Sequence, residues 1–382
     1  MAEGDVVLRS GRKSTRERWS IVASEPQCVY AGEAADFSWD GLRAFAAAGL
    51  VAGYLSYDLG ESLEGVRRAG AGRMPSFWFG LYHRAWLKDE WTGRSFLWER
   101  GRGRRPAPEI RTRRPGGFSL AGGEPVIGRS GYLRKVHAAR EAIADGHYYQ
   151  ANLTFHLRYR FSGDPRGLFE AFMAAQPVPF GALLDTGRGI VVSGSPERLL
   201  RVRGREALSS PMKGTAPPGL GSRALALSAK DRAENLMITD LVRHDLAAVG
   251  RPVRVPAFCR VERYATVSQM VTDVACRLGE GRDRWDALRA LFPPGSVTGA
   301  PKASALEALA RLEEGRRGLY TGAIGYSFGP ESSVFSVAIR TAEIVGGECL
   351  YGVGSGVTWA SDAGAEWEEC LSKAVALRGL CV

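Results

Sequence analysis

The order of helical and strand-like segments is the feature that most constrains the fold of this chain. From Ser130 onward the sequence predicts a helix, a long strand and a second helix, and then three strands in direct succession, "FGALLDTG", "GIVVSGS" and "RLLRVRGREALS". Strict alternation of strands and helices indicates parallel βαβ units, whereas neighbouring strands without a helix between them indicate hairpins. The pattern predicts an α+β fold with large, mostly antiparallel sheets and disfavours a doubly wound one.

A basic segment rich in proline and glycine, residues 99–117, divides the chain. Before it lie short strand-like pieces and one alanine-rich helical piece near "LRAFAAAG". We interpret 1–118 as an N-terminal portion that ends in a solvated, mobile linker, and 119–382 as the portion that carries the chemistry.

The chain carries a formal net charge of +10, with 51 Lys plus Arg against 41 Asp plus Glu. Such a balance suits either nucleic acid or a small anionic ligand. Much of the excess lies in the 99–117 segment, which has no aromatic residues interleaved for stacking on bases. A small anion is therefore the favoured partner, and nucleic acid is not expected.

Neither export nor a membrane is indicated. The first twenty residues lack an apolar run, and no eighteen consecutive apolar residues occur. The six cysteines show no C-x-x-C pair, which fits reduced thiols used in packing. A cytoplasmic enzyme is expected.

An acidic residue lies in a helical pattern at "DRAENLMITDLVRHDL", residues 231–246. Leu236, Met237, Leu241 and Val242 recur at helical spacing, and Glu234 precedes Leu241 by seven residues, which places its carboxylate with the apolar stripe. A carboxylate that faces a core needs a partner. Either a salt bridge to an arginine or a bound cation would serve.

The last predicted helix, "GAEWEECLSKAVALRGL", repeats this arrangement. Glu366, Glu369 and Lys373 are spaced i, i+3 and i+7 and share one face. Oxygen ligands without histidine or cysteine suit Mg²⁺, with waters and oxygens of a bound ligand completing the octahedron. The simpler alternative is a surface pair of Glu369 with Lys373.

Three glycines alternate before that helix in "LYGVGSGVTWASD". Gly352, Gly354 and Gly356 leave one strand face without side chains, so a ligand or another backbone can approach closely. Ser361 or Asp362 can cap the following helix. Upstream, "FPPGSVTGAPK" departs from the P-loop spacing before Lys302, so nucleotide binding is not expected.

Two basic residues have chemistry of their own. In "FSVAIRTAEIV" the alternation predicts a strand on which Arg340 can bind a carboxylate or form a structural ion pair. Lys213 follows an apolar run in "LSSPMKGTAPPG" and is one of seven lysines in a chain whose basic residues are mostly arginine. Unlike arginine, a lysine can lose its proton and act as a nucleophile.

Taken together, these segments resemble the chorismate-utilising enzymes, a family that includes anthranilate, aminodeoxychorismate, isochorismate and salicylate synthases. From about residue 130 to the end, the matching motifs occur in family order: "DGHYYQANLT", "SGSPERLL", "PMKGTAPPG", "DRAENLMITDLVRHDL", "LFPPGSVTGAPKASALEAL", "RRGLYTGAIGYSF", "FSVAIRTA" and "GVGSGVTWASDAGAEWEECLSKA". "RWSIVASEP" and "GYLSYDLGESLE" extend the likeness to the front. The resemblance implies a layered sandwich with two large sheets inside and helices outside.

The resemblance also implies roles for single residues. Glu234 and Glu369 match Mg²⁺ ligands, with Glu366 nearby and acting through water. Glu197 matches the general acid that protonates the departing ring hydroxyl. The remaining matches line the substrate pocket: Tyr320 and Arg340 at the pyruvyl carboxylate, Gly354, Gly356 and Lys373 around the ring carboxylate and metal, and Thr215 with the 296–299 turn, including Ser296 and Thr298.

Members of the family differ in their nucleophile. Isochorismate and salicylate synthases have a general-base lysine where this chain has Gln150, which disfavours attack by water. A lysine in P-x-K-G-T, here Lys213, marks the aminodeoxychorismate synthases and is implied to attack ring carbon 2 covalently. Gln269 replaces a histidine that is tied to later steps of the anthranilate branch. The resemblance favours 4-amination of chorismate, with anthranilate synthesis as the alternative.

The implied second substrate is ammonia. The sequence offers no glutaminase triad, since no cysteine lies in a strained turn and only five histidines occur. We therefore expect ammonia from solution or from a separate glutamine amidotransferase subunit, and we expect neither a nucleic-acid nor a membrane partner.

Overall fold

Two antiparallel sheets form the centre of the structure. The structure is a computed structural model, and it describes residues 1–11, 17–68, 70–108, 114–216, 220–263, 268–329 and 332–381. In the described part, the first sheet has twelve strands. Their order is β18 (Gly299–Ala300), β10 (Gln150–Gly163), β22 (Glu348–Val357), β21 (Thr341–Val345), β12 (Ile190–Ser195), β11 (Phe180–Asp185), β1 (Val6–Arg9), β2 (Trp19–Ala23), β6 (Arg84–Asp89), β7 (Ser95–Glu99) and β8 (Gly103–Pro106), with β9 (Phe118–Pro125) paired to β10.

The second sheet has ten strands in the same described ranges, and every pairing in both sheets is antiparallel. Its order is β15 (Met212–Ala216), β17 (Ser268–Leu278), β14 (Glu206–Ser210), β13 (Arg198–Arg203), β20 (Ser332–Val337), β19 (Ala323–Phe328), β4 (Leu50–Leu55), β5 (Phe77–Tyr82) and β3 (Cys28–Gly32), with β16 (Gly250–Arg263) paired to β17. The predicted α+β fold with two large antiparallel sheets is confirmed.

The helices cover the outer faces of the sheets. They are α1 (Trp39–Ala46), α2 (Tyr57–Leu63), α3 (Arg129–Ala144), α4 (Pro165–Ala175), α5 (Leu220–Leu227), α6 (Ala229–Ala247), α7 (Arg284–Leu291), α8 (Lys302–Leu312), α9 (Ala363–Ser372) and α10 (Val375–Arg378), with 3-10 turns at Ala34–Asp36 and Gly295–Val297. The predicted cap of α9 is confirmed, since the Asp362 carboxylate accepts the Ala365 N–H at 2.8 Å. None of the described helices has both the length and the apolar character to span a bilayer.

Apolar side chains form three layers of core. One lies between the two sheets and includes Val6 from the first sheet with Tyr54 and Ile324 from the second. A second lies between the first sheet and helices such as α3, α4 and α9, and a third between the second sheet and helices such as α1, α6 and α7. The result is a four-layer sandwich, because each sheet buries both of its faces.

Both sheets contain strands from both portions of the chain. β1 pairs with β11 in the first sheet, and β4 pairs with β19 in the second. Part of the 99–117 segment, expected to be a solvated linker, forms the edge strand β8, which pairs with β7 and is exposed along its length. Charged residues and a proline are typical of a protected edge strand, which explains why the segment reads as a linker.

Two of the places at which the chain crosses from one sheet to the other lie next to each other. Residues 196–197 join β12 to β13, and residues 338–340 join β20 to β21. Backbone hydrogen bonds link the two crossovers: Val337 N–H donates to the Glu197 carbonyl at 3.1 Å, and Gly194 N–H donates to the Arg340 carbonyl at 2.9 Å. Glu197 and Arg340, both predicted from the sequence, are thus brought together where the sheets meet.

Candidate active site

Glu197 is buried in the crossover between β12 and β13, with 4% of its surface exposed. The Ser296 hydroxyl, in the turn Gly295–Val297, donates to Glu197 Oε1 at 2.6 Å. Thr298 follows that turn, but its hydroxyl donates to the Pro294 carbonyl at 2.8 Å. Ser296 therefore orients the acid directly, whereas Thr298 stabilises the turn.

Arg340 does not lie on a continuous strand, and that prediction was wrong. The chain leaves β20 at Val337 and enters β21 at Thr341, in the other sheet. Arg340 between them has a φ of 54°, and its guanidinium donates to the Gln176 side-chain carbonyl. The alternation looked uninterrupted because the residues on both sides of the crossover are buried.

Tyr320 packs against the glycine strand β22. A Cβ added to Gly352 would lie 2.0 Å from the Tyr320 ring, so the absence of a side chain is what admits the ring. The predicted bare face of β22 is therefore filled, at this position, by a side chain of the protein. Burial raises the pKa of the Tyr320 phenol, which keeps its proton and can donate a hydrogen bond to an anion.

Gly352→Ala is expected to displace the Tyr320 ring. The added methyl group cannot fit beside a ring that is buried, and such overpacking lowers the free energy of unfolding by about 1–3 kcal/mol. The Michaelis constant for an anionic substrate should rise, because Tyr320 is predicted to bind its carboxylate. Urea denaturation and steady-state kinetics measure the two effects. Gly117→Ala is the control, because a Cβ there meets nothing within 4 Å.

Lys213 lies on β15, and its amine reaches β22. A bulge between Lys213 and Thr215 breaks the pairing with β17, with Gly214 at a φ of 79°. A Cβ added to Gly356 would lie 3.1 Å from Lys213 Nζ and 2.4 Å from Gln150 Nε2. The amine therefore lies above the glycine strand beside Gln150.

The surroundings of the Lys213 amine make it easier to deprotonate than an ordinary lysine. Burial lowers the pKa of Lys213 from the ordinary value of 10.5, and the charge of Lys373 acts in the same direction. Three nearby carboxylates oppose this shift, those of Glu234, Glu197 and Glu369. The direction of the balance is towards a free amine.

Gln150 presents an unused amide next to this amine. Its side chain is 1% exposed, and neither its oxygen nor its nitrogen has a hydrogen-bond partner among the described residues. A buried amide without partners costs free energy unless a ligand satisfies it. The side-chain oxygen of Gln269 is in the same condition. Both amides can bind a polar ligand.

Glu234 lies at the border of the buried face of α6. The buried residues of this helix are Asn235, Ile238, Thr239, Val242 and Leu246, whereas Leu236 is 57% exposed. The predicted buried stripe therefore differs by one position from the buried face that the structure has. Polar residues occupy part of that face, where Asn235 accepts hydrogen bonds from Thr239 on the same helix and from Thr272 on β17. Burial raises the pKa of Glu234, and the charges of Lys213 and Lys230 oppose this.

Helix α9 carries the other two predicted metal ligands. Glu366 is 5% exposed, and its carboxylate takes part in no hydrogen bond or ion pair within the described ranges. Lys373 donates to Glu369 Oε1 and to the Gly354 carbonyl, each at 2.7 Å. The predicted Glu369–Lys373 pair is thus present, and it is tied to the glycine strand. Burial raises the pKa of Glu369, but Lys373, Lys213 and Lys230 outweigh it, so the pKa is lowered.

The glutamates fit a magnesium ion in chemistry but do not enclose one. The charges of Glu234 and Glu369 influence each other and both act on Lys213, and the described part of the chain offers no partner to the buried Glu366 carboxylate. Among the described residues no three acidic, histidine or cysteine side chains are close enough to hold a metal by themselves. Mg²⁺ commonly takes only one or two carboxylates and completes its shell with waters and ligand oxygens.

The sequence analysis missed further residues at this site. Gln176 accepts a hydrogen bond from Arg340, and the buried pair of Arg317 and Glu313 bonds to the backbone of Val297 and Thr154. Arg317 was not singled out because arginine is abundant in this chain, and because an Arg–Glu pair at i, i+4 usually indicates an ion pair on the surface. The side chain of Thr215, predicted to line the pocket, lies outside the described residues.

Comparison with known proteins places these observations in a family. The sequence profile described as "chorismate binding enzyme" matches residues 9–379. The chain is 45% identical over 260 residues to the aminodeoxychorismate synthase of Streptomyces griseus, which is 65% of this chain and 36% of that protein. It is 32% identical over 386 residues to anthranilate synthase component 1 of Thermococcus kodakarensis, covering 92% of this chain and 88% of that protein.

The fold has a counterpart among solved structures. Anthranilate synthase component I from Streptococcus pneumoniae superposes with a TM-score of 0.82 at 24% identity, covering 95% of this chain and 93% of that one. The match to the Streptomyces griseus relative, and another to an aminodeoxychorismate synthase of Streptomyces pristinaespiralis, span only 36% and 35% of those proteins.

Proposed function

The chain belongs to the chorismate-binding enzymes, and on that premise we propose that it converts chorismate and ammonia to 4-amino-4-deoxychorismate, the reaction of aminodeoxychorismate synthase component I, a transferase that supplies para-aminobenzoate and folate synthesis. The observation that carries this proposal is the buried amine of Lys213, whose pKa is lowered by burial above Gly356. A free amine in that place can act as a nucleophile.

The proposed chemistry uses two displacements. The lone pair of Lys213 Nζ forms a bond to ring carbon 2, the ring double bonds shift, and the bond from carbon 4 to oxygen breaks while Glu197 donates a proton, so that water leaves. Ammonia then bonds to carbon 4, the double bonds shift back, and the bond from carbon 2 to Lys213 breaks. Two successive displacements retain the configuration at carbon 4.

Other side chains would bind the substrate. Tyr320 and Arg340 would hold the enolpyruvyl carboxylate, and Lys373 with Gly354 and Gly356 would border the ring carboxylate. Glu234, Glu369 and Glu366 would hold Mg²⁺, which when bound would neutralise the ring carboxylate and favour loss of the hydroxyl. Ser296, through its hydrogen bond of 2.6 Å, would orient Glu197 towards the leaving group.

Anthranilate synthesis is the second candidate. It is favoured by the long similarity to anthranilate synthase component 1, which covers 92% of this chain. In that reaction the nitrogen enters at carbon 2 and pyruvate is eliminated. Incubation of the protein with chorismate, Mg²⁺ and ammonium, followed by mass spectrometry, separates the two. We expect a 4-amino product that retains the enolpyruvyl group, and free pyruvate with an aromatic amine would contradict the proposal.

Glutamine is expected to serve as a nitrogen source only when a glutamine amidotransferase is added. The purified chain should aminate chorismate with ammonium but not with glutamine, because we identify no amidotransferase nucleophile in its sequence. The measurement is product formation with each nitrogen source, before and after addition of the partner. Glutamine-dependent amination by the chain alone would refute the prediction.

A further inference from the structure

Arg317 connects three walls of the pocket through one buried guanidinium. The side chain is 1% exposed and lies over the Tyr57 ring, 4.1 Å from its centre. Its Nη1 donates to the Val297 carbonyl at 2.8 Å and to the Thr321 hydroxyl at 3.1 Å. Its Nη2 donates to the Asn152 carbonyl at 2.7 Å. A planar guanidinium with fixed donor directions suits such a junction.

Each of these contacts is adjacent to a residue of the proposed reaction. Val297 follows Ser296, which holds Glu197. Thr321 follows Tyr320. Asn152 lies on β10 opposite Gly356, which borders Lys213. The guanidinium therefore links the segments that carry Ser296, Tyr320 and the part of β10 that pairs with Gly356.

Glu313 completes the junction. Its Oε1 accepts from Arg317 Nη2 at 2.7 Å and from the backbone N–H and the hydroxyl of Thr154 at 2.9 and 2.8 Å. Thr154 lies against Gly354 on the neighbouring strand. The same carboxylate accepts from Arg68 Nη2 at 3.2 Å. Glu313 thus has two guanidinium partners, one facing the pocket segments and one facing away.

We propose that Arg317 is a positioning residue that holds the Ser296 turn, and through it Glu197, at the distance needed to protonate the leaving hydroxyl. The inference rests on the proposed function only in requiring Glu197 to act as general acid, a step that 4-amination and anthranilate synthesis share. A purely structural role predicts a different outcome, because removing one partner of a buried ion pair destabilises the fold, whereas loss of positioning lowers kcat in a protein that still folds.

Arg68 supplies a matched control. It is nearly buried, with 7% of its side chain exposed, and it bonds to Glu61, to Glu313 and to the carbonyls of Leu309 and Gly315. Arg68→Met therefore disturbs the same carboxylate as Arg317→Met without removing a bond to Val297, Thr321 or Asn152. Arg317→Lys keeps the charge but cannot form the planar fork.

The experiment compares Arg317→Met, Arg317→Lys and Arg68→Met with the wild type in chorismate and ammonium. We expect Arg317→Met to lower kcat about 100-fold, the lower end of a general-acid contribution, with KM changed less than about threefold. The solvent deuterium isotope effect on kcat should rise, because proton transfer becomes slower. Arg317→Lys should recover part of kcat, and Arg68→Met should keep kcat within about twofold and leave the isotope effect unchanged.

Several results would overturn the inference. A loss of kcat in Arg68→Met equal to that in Arg317→Met, or full activity in Arg317→Lys, would assign the residue to stability alone. The same conclusion follows if circular dichroism shows that Arg68→Met folds and neither Arg317 variant does. A wild type that turns over no chorismate would instead contradict the proposed function, so the two failures are distinguishable.

Discussion

Lys213→Ala is expected to abolish formation of the 4-amino product, with a loss of at least about 10³-fold, or about 4 kcal/mol in the barrier. The wild-type amine would occupy ring carbon 2 during turnover. Removing it would leave carbon 2 open to ammonia, while Glu197, the proposed general acid, would still protonate the hydroxyl. Any remaining activity should therefore give the 2-amino isomer. Chromatography with mass spectrometry distinguishes the isomers, and Lys135→Ala, on the outer helix α3, is the control.

Two further variants sharpen this test. Lys213→Arg should not restore 4-amination, because a guanidinium stays protonated. In the wild type, chorismate without ammonia should leave a mass adduct on the peptide that contains Lys213. Unchanged 4-amination by Lys213→Ala would exclude the covalent role and leave the amine as a contact to a substrate carboxylate.

The pH dependence follows from the same amine. An ordinary lysine is a free amine in only about one molecule in 2,500 at pH 7. Because burial lowers the pKa of Lys213 below 10.5, the rate of 4-amination should rise with pH through that lowered value. Between the lowered pKa and 10.5 the unfolded chain binds more protons than the folded one, so this residue makes stability rise with pH. Lys213→Met should remove that contribution.

Glu234→Gln and Glu369→Gln are each expected to lower turnover more than about 100-fold, since even partners that only orient metal ligands cost 10–100-fold. An amide matches the carboxylate in shape but lacks the charge that attracts a divalent cation. Excess chelator should abolish wild-type activity, and calorimetric Mg²⁺ binding in the presence of substrate should weaken in both variants.

The control for these variants is Glu314→Gln, because Glu314 is 68% exposed and pairs with Lys135 at the surface. Thermal unfolding should be nearly unchanged in all three variants. Full wild-type activity in excess chelator would contradict the metal requirement, whichever glutamate is altered.

The fold and part of the site could be predicted from the sequence, because both leave local signals in it. Adjacent strand-like segments without helices between them are a local signal, and they led to the antiparallel sheets that the structure has. The helical spacing of Glu366, Glu369 and Lys373 is also local, and Lys373 does bond to Glu369. Local spacing was sufficient where both partners of a contact belong to one element, as Glu369 and Lys373 do on α9.

The remaining contacts depend on where distant segments meet. The stripe on α6 was misplaced because Asn235 is buried with Thr272, a residue from β17 that the helix sequence does not reveal. Arg340 was placed on a strand because alternating buried residues do not show that the chain changes sheets. Arg317 was missed because its partners lie 165 and 20 residues away, at Asn152 and Val297. Such long-range polar contacts leave no periodic signal in a single sequence.

At its three glycines, β22 contributes backbone to the candidate site, and neighbouring elements contribute the side chains. The strand supplies only backbone there, and the groups that stand on it arrive from elsewhere: the Tyr320 ring above Gly352, and Lys213 with Gln150 above Gly356. Because β22 pairs with β10 and β21 through backbone hydrogen bonds, we expect replacement of these side chains to leave that pairing intact. A strand that contributes only backbone can therefore support different side chains from neighbouring elements. One scaffold can in this way accept a different nucleophile when one or two residues on those elements are replaced.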